Sequence, residues 1–290
     1  MLLSTGFTQV KNQIVIFFLC CFLTLSSFAQ RKEKVVEIGV FLGGSYYIGD
    51  LNPTRHFDQF THPGGGIVFR YNFNPRFAAR ANFLLGNIEG HDEFSASEFQ
   101  QQRNLSFQSK VTELSGQLEF NFLNYEIGND RSRFSPFIFG GIGCFQFDPQ
   151  GQFDDSWVSL RSLSTEGQGL PGSNAKPYKQ FQVTFPFGVG IRLNVAKNMS
   201  LGLEWGMRKT FTDYLDDVST TYYDPVKLKE YKGDIAVAMA DQSKGMDAGS
   251  SNTGRQRGTP TNKDWYSFAG AVLTIRLKGK EPACPGIGYN

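Results

Sequence analysis

Polar and apolar residues alternate with a period of two along most of this chain, as they do in strands whose faces meet different surroundings. Over residues 179–195 one face reads Phe181, Val183, Phe185, Phe187, Val189, Ile191, Leu193 and Val195, and the other Gln182, Thr184, Pro186, Gly188, Gly190, Arg192 and Asn194. Soluble strands usually span about five or six residues. A run this long suits a strand crossing a membrane at a tilt. Seven more segments read the same way: 36–48, 65–73, 76–88, 107–122, 134–147, 200–211 and 265–277. Segment 134–147 is nearly all aromatic residues and glycine, so its faces are ambiguous.

The connections sort by length. Those at 74–75 and 196–199 are short, 124–133 is intermediate, and 49–64, 89–106, 148–178 and 212–264 are long. Tight periplasmic turns alternating with long external loops, on an even strand count, characterise outer-membrane barrels. The pattern predicts an all-β fold, an eight-stranded antiparallel transmembrane β-barrel over residues 36–277, in contact with outer-membrane lipid. Both termini are then periplasmic, as a short segment at 30–35 and a tail at 278–290. Closure is what hydrocarbon demands, because every backbone N–H and C=O there needs an internal partner. Trp205 and Trp265 are candidates for the interfacial aromatic girdles. A secreted soluble barrel or sandwich is the alternative. Loop segments 161–177 and 243–262 are rich in small polar residues and read as mobile, and 225–239 reads as a short helix.

Composition agrees with a β fold: 28 Phe, 11 Tyr and 32 Gly, with 19% charged residues. A net charge of +2 without a dense basic run excludes a nucleic-acid footprint. At the N-terminus Lys11, an apolar run over 14–25, and Ser27, Phe28 and Ala29 read as a signal peptide, residues 1–29, with the mature chain starting at Gln30. That run is too short for a membrane helix. Leu19 and Cys20, preceding Cys20 and Cys21, do not suit a lipidation site.

The polar faces carry nine charges of nearly balanced sign: Glu37, Arg70, Arg80, Glu113, Glu119, Arg192, Glu204, Arg208 and Arg276. Eight strands enclose a space only wide enough for side chains. An unpaired charge there is costly. The charges therefore predict a self-neutralising network in an occluded lumen, with a conducting pore as the alternative. Reading the glutamates as catalytic would need a substrate cleft and a partner acid at a defined separation. The glycines at 140–143 lie in a strand-like run without a following helix, so they do not suit a phosphate loop. No nucleophile elbow or His-Glu-x-x-His pair occurs. The three histidines, His56, His62 and His91, fall in loops without metal-ligand spacing. No catalysis, cofactor or metal is expected. Export permits a bridge between Cys144 and Cys284, but their proximity is not readable from sequence.

The stretch Glu37-Ile38-Gly39-Val40-Phe41-Leu42-Gly43-Gly44-Ser45-Tyr46-Tyr47-Ile48-Gly49-Asp50-Leu51-Asn52 resembles the first strand of the PorG-type outer-membrane barrels of the type IX secretion and gliding machinery. The end, Ile275-Arg276-Leu277-Lys278-Gly279-Lys280 followed by Cys284-Pro285, is similar too. The resemblance implies a scaffold that anchors a periplasmic ring of PorK- and PorN-type proteins, and not the protein-conducting channel. It would leave Cys284 for an intermolecular contact or as a free thiol. A small ligand-binding or transport barrel and a surface adhesion barrel are the alternatives.

Overall fold

The computed structural model describes residues 35–244 and 250–277. The expected signal peptide, all of segment 30–35 but Val35, and the tail with Cys284 lie outside the described residues. The strands are β1 Val35–Ile48, β2 His62–Asn72, β3 Phe77–His91, β4 Ser106–Asn121, β5 Phe134–Phe153, β6 Ser156–Ser159, β7 Phe181–Ala196, β8 Met199–Thr210 and β9 Trp265–Leu277. The order β4-β3-β2-β1-β9-β8-β7-β5, with β4 also paired to β5, closes eight antiparallel strands into a barrel. The extra strand was not foreseen. β5 runs for 20 residues, past residue 147, and turns at Asp154 (φ 50°) into β6. Aspartate tolerates that left-handed conformation better than most residues.

Alternation sets what each face meets. Outward residues are apolar and exposed: Leu42 is 67% accessible, Leu118 64%, Phe181 63% and Ile142 62%. Charged outward residues of the strands (Glu89, Lys110, Asp148 and Lys209) lie at the long-loop end. Inward residues such as Glu37, Phe41, Arg70 and Tyr266 are buried. The ambiguous segment in β5 resolves as Phe137, Phe139, Phe145 and Phe147 inward, with Ile138 and Ile142 outward. These rings need small residues facing them. A Cβ on Gly188 would lie 2.5 Å from the Phe139 ring, and one on Gly190 2.5 Å from Phe137. Large side chains opposite glycine fill the lumen.

Both ends are covered. At the short-turn end, residues 122–133 fold inward and bury Tyr125 and Ile127. Tyr125 Oη donates to Asn194 Oδ1 at 2.5 Å. At the other end the long loops carry helices α1 Glu98–Arg103, α2 Leu160–Leu163, α3 Pro225–Lys232 and α4 Asp234–Ala240. The stretch 225–239, expected to contain a short helix, carries the last two of these, separated at Gly233. Asp224 caps the first, accepting from the Val226 N–H at 2.9 Å. Among the described residues no helix is long and apolar enough to cross a membrane.

Replacing Gly188 with valine forces its side chain onto the Phe139 ring and the Trp205 carbonyl. The expected loss is about 1–3 kcal/mol, read as a lower urea midpoint for the protein folded in detergent micelles.

Candidate functional site

Register and pleat bring the charged inward residues together. Arg70 and Arg80 are directly paired across β2 and β3, a like-charge contact that is unfavourable alone. Glu119 on β4 resolves it. Its carboxylate takes Arg70 Nε at 2.9 Å, Arg80 Nη1 at 3.1 Å and Arg192 Nη2 at 2.5 Å. Arg70 also reaches Glu37 at 3.1 Å, and Thr274 Oγ1 donates to Glu37 at 2.6 Å. Two ties cross the lumen: Arg80 to Glu204 at 2.6 Å, and Arg208 to Glu113 at 3.1 Å. Tyr266 Oη donates to Glu113 at 3.0 Å. The buried set is Arg70, Arg80, Arg192 and Arg208 against Glu37, Glu113, Glu119 and Glu204, which sums to zero. Aromatic faces take up further charge density. Arg80 stands 4.4 Å over Phe139, Arg192 4.7 Å over Phe137 and Arg208 4.9 Å over Phe268.

Around and above the Arg208–Glu113 pair the lumen is aromatic. Phe268, Tyr266, Phe145, Phe147, Tyr178 and Tyr214 form a column of successive ring contacts with centroids 4.8–6.1 Å apart. The column ends in a loop cap that is rich in acid. Asp92, Glu166, Asp213, Asp216, Asp217 and Asp264 are buried there with two arginines, Arg103 and Arg257. Glu166 ties the loops together, taking Arg257 Nη1 at 3.0 Å, the Ser219 N–H at 2.8 Å and Thr220 Oγ1 at 2.7 Å. Arg103 holds Asp92 at 2.7 Å. Tyr47 Oη lies between Asp216 (2.5 Å) and Asp264 (3.2 Å), fastening cap to barrel. Burial pushes Asp213 up to about 7 and Asp217 up to about 6. Asp216 and Asp264 are raised well above the usual carboxylate range, by burial first and then by neighbouring acids. Burial thus favours the neutral acid in Asp216 and Asp264, and Asp213 and Asp217 change form around pH 6 to 7.

Eight of the nine charges singled out by alternation meet in one network. Arg276 is half-buried at the short-turn end of β9, opposite Glu37 in register. Within the two loops read as mobile, Thr165, Glu166 and Arg257 are packed inside the cap. Their composition is polar because they bond to one another, which single-sequence polarity does not distinguish from solvation. His56 lies in a loop as expected, whereas the placement of the other two histidines in loops is corrected. His62 opens β2 and His91 closes β3, and both bond Glu89 at 2.5 Å. Among the described residues no group of three His, Cys, Asp or Glu could hold a metal. Cys144 is a free, half-buried thiol. Trp205 Nε1 donates to Tyr46 Oη at 2.7 Å on the outer face. Trp265 packs on Phe187 there at 6.0 Å.

The family described as "Domain of unknown function (DUF6089)" matches residues 13–232. No curated protein matches the chain. Ail, the attachment invasion locus protein of Yersinia pestis, is 9% identical, with 85% of this chain and 100% of that one covered and a TM-score of 0.39. Neisserial surface protein A is 9% identical over 84% and 97%, with a TM-score of 0.38. A major outer membrane protein from Thermus thermophilus is 11% identical over 85% and 100%, with a TM-score of 0.38.

Glu119→Gln leaves three buried guanidiniums short of a counter-charge, and a loss of about 3–5 kcal/mol is expected, measured as reduced refolding yield and an earlier unfolding midpoint. The cap has its own pH dependence. Carboxyl groups raised on folding contribute stability that is complete below about pH 4. It is lost as pH climbs through the values near 6 and 7 of Asp217 and Asp213. Amide-exchange protection factors over residues 211–220 should be severalfold higher at pH 5 than at pH 8. Asp213→Asn, which keeps an acceptor for Ser219 but cannot ionise, should shrink that difference.

Proposed function

The chain belongs to the DUF6089 family, and we propose that it is a non-enzymatic bacterial outer-membrane β-barrel with a sealed lumen, working as an anchor and not as a pore. The observation that carries this reading is the coexistence of two surfaces on one closed wall. Its outside is an exposed apolar band, with Leu42, Leu118, Ile142 and Phe181 more than half accessible. Its inside is filled and charge-neutral. A contiguous apolar belt of this kind is unfavourable in water and favourable in hydrocarbon. The phenylalanines and ion pairs that occupy the lumen support a sealed interior.

The finer reading is a scaffold of the type IX secretion machinery. It is supported by the resemblance of residues 37–52 to the first strand of PorG-type barrels. In that role the short-turn end faces the periplasm. The folded turn at 122–133, together with the terminal segments, is the surface available to a PorK- and PorN-type ring. Long loops capping the opposite end are then extracellular.

Reconstitution tests the sealed anchor directly. The purified chain should require detergent, migrate anomalously on gels until boiled, and produce no stable conductance in planar bilayers. Large, steady conductance would refute the sealed lumen. Deleting the gene should abolish export of type IX cargo and gliding, with restoration by a plasmid copy. Unchanged export and gliding would remove the secretion role while leaving the barrel intact.

A further inference from the structure

A cleft of about 780 Å³ opens at the long-loop end, where the tops of β8 and β9 meet the loops at 49–53, 97–103 and 256–263. Its volume is in the range of small-molecule sites. Three kinds of group line it. Trp265 and the half-exposed Phe99 offer aromatic faces. Lys209, Lys263 and Arg103 bring positive charge against a single carboxylate, Asp50, so the lining carries a net +2. Thr259, Thr261 and Asn262 add hydroxyl and amide groups.

Some of these groups are already committed. Arg103 holds Asp92 and the Asp50 carbonyl, and Asp50 accepts the Thr259 N–H at 2.8 Å. The lysines are held loosely. Lys209 Nζ stands 5.5 Å over the Trp265 ring, and Lys263 Nζ makes a 2.8 Å bond to the Pro260 carbonyl. Both side chains are exposed, and an ammonium in such a setting retains donors for an anion.

We propose that this cleft binds a phosphorylated saccharide. An aromatic face suits the apolar C–H face of a sugar ring, hydroxyl and amide groups suit its hydroxyls, and the two lysines suit phosphate. Position narrows the source. Lys209 is at the upper edge of the outward apolar band, beside Trp265 in the β8–β9 register. If the barrel spans a membrane as proposed above, that edge lies level with lipid headgroups. The sugar is then either the headgroup of an outer-leaflet glycolipid or part of a free glycan.

The test uses the full chain in detergent micelles and a bisphosphorylated glucosamine disaccharide, in acylated and deacylated forms, titrated calorimetrically. Both unboiled band shift and binding are measured for the wild type and for Lys209→Ala/Lys263→Ala, whose changed side chains are exposed. Binding that the double variant weakens at least tenfold supports the site. If the deacylated sugar binds, a free glycan is a sufficient ligand. If only the acylated form binds, with the same lysine dependence, the ligand is a glycolipid. Equal affinity for the dephosphorylated disaccharide, insensitivity to the lysines, or no binding of either form overturns the proposal. A chain that shows the folded band but does not bind refutes the cleft alone. A chain that binds yet stays dissolved without detergent refutes the membrane reading alone.

Discussion

Closing a sheet on itself removes every free backbone edge, and in an eight-stranded ring it also creates an interior that only side chains can fill. That second consequence governs the rest of this molecule. The ring brings inward residues from strands far apart in sequence within bonding distance, so each charge placed there must find its opposite in the same small volume. Glu119 shows the constraint most clearly. Arg70 and Arg80 are forced side by side by the β2–β3 register. Glu119 bonds both and takes Arg192 as well, with Glu37 and Glu204 adding a second carboxylate to Arg70 and Arg80, and that lets the register persist.

The interior is layered, and each layer solves a different problem. Near the short turns, guanidiniums and carboxylates neutralise one another and rest on aromatic faces. In the middle the Arg208–Glu113 pair is set among Phe145, Tyr266 and Phe268, while nearer the short turns glycines of β7 and β8 make room for Phe137 and Phe139. At the long-loop end the matching is deliberately incomplete in charge: six buried acids meet two arginines. Burial favours the protonated form of Asp213, Asp216, Asp217 and Asp264, and hydroxyl and backbone donors reach most of their oxygens. The cap is the part of the barrel whose cohesion depends on protonation.

Much of the fold was legible in the sequence, and the reason is periodicity. A closed sheet with lipid-like surroundings outside and packed polar groups inside imposes a strict period of two, which is visible over 179–195 without any structure. The same alternation picked out Glu37, Arg70, Arg80, Glu113, Glu119, Arg192, Glu204 and Arg208 as inward before any partner was known. It failed where both faces are apolar, as in β5, because alternation vanishes when rings point both ways. It also failed in the loops. Glu166, Arg257 and Asp217 sit in stretches whose composition suits solvated coil, and their burial comes from contacts between segments 40 to 91 residues apart. No local signal encodes such pairings. β6 escaped for a related reason, since four residues are too few to show a period.

The cap and the lumen together bear on what kind of machine this barrel can be. A gated channel needs a plug that can leave, and a plug leaves readily only if its contacts with the wall are few. Here the wall reaches into the cap through Tyr47, which bonds Asp216 and Asp264 from a position on β1. The ring column climbs from Phe268 in β9 to Tyr214 in the longest loop without a break. Lumen and cap share one continuous core, in which Phe145, Tyr266 and Phe268 join Leu160, Tyr178 and Leu215. Opening a path would require breaking cross-lumen pairs such as Arg80 with Glu204, each of which would leave a buried ion without its partner. A cylinder so tied is suited to holding position in a membrane while its two ends make contacts, which is the mechanical property an anchor needs and a pore does not.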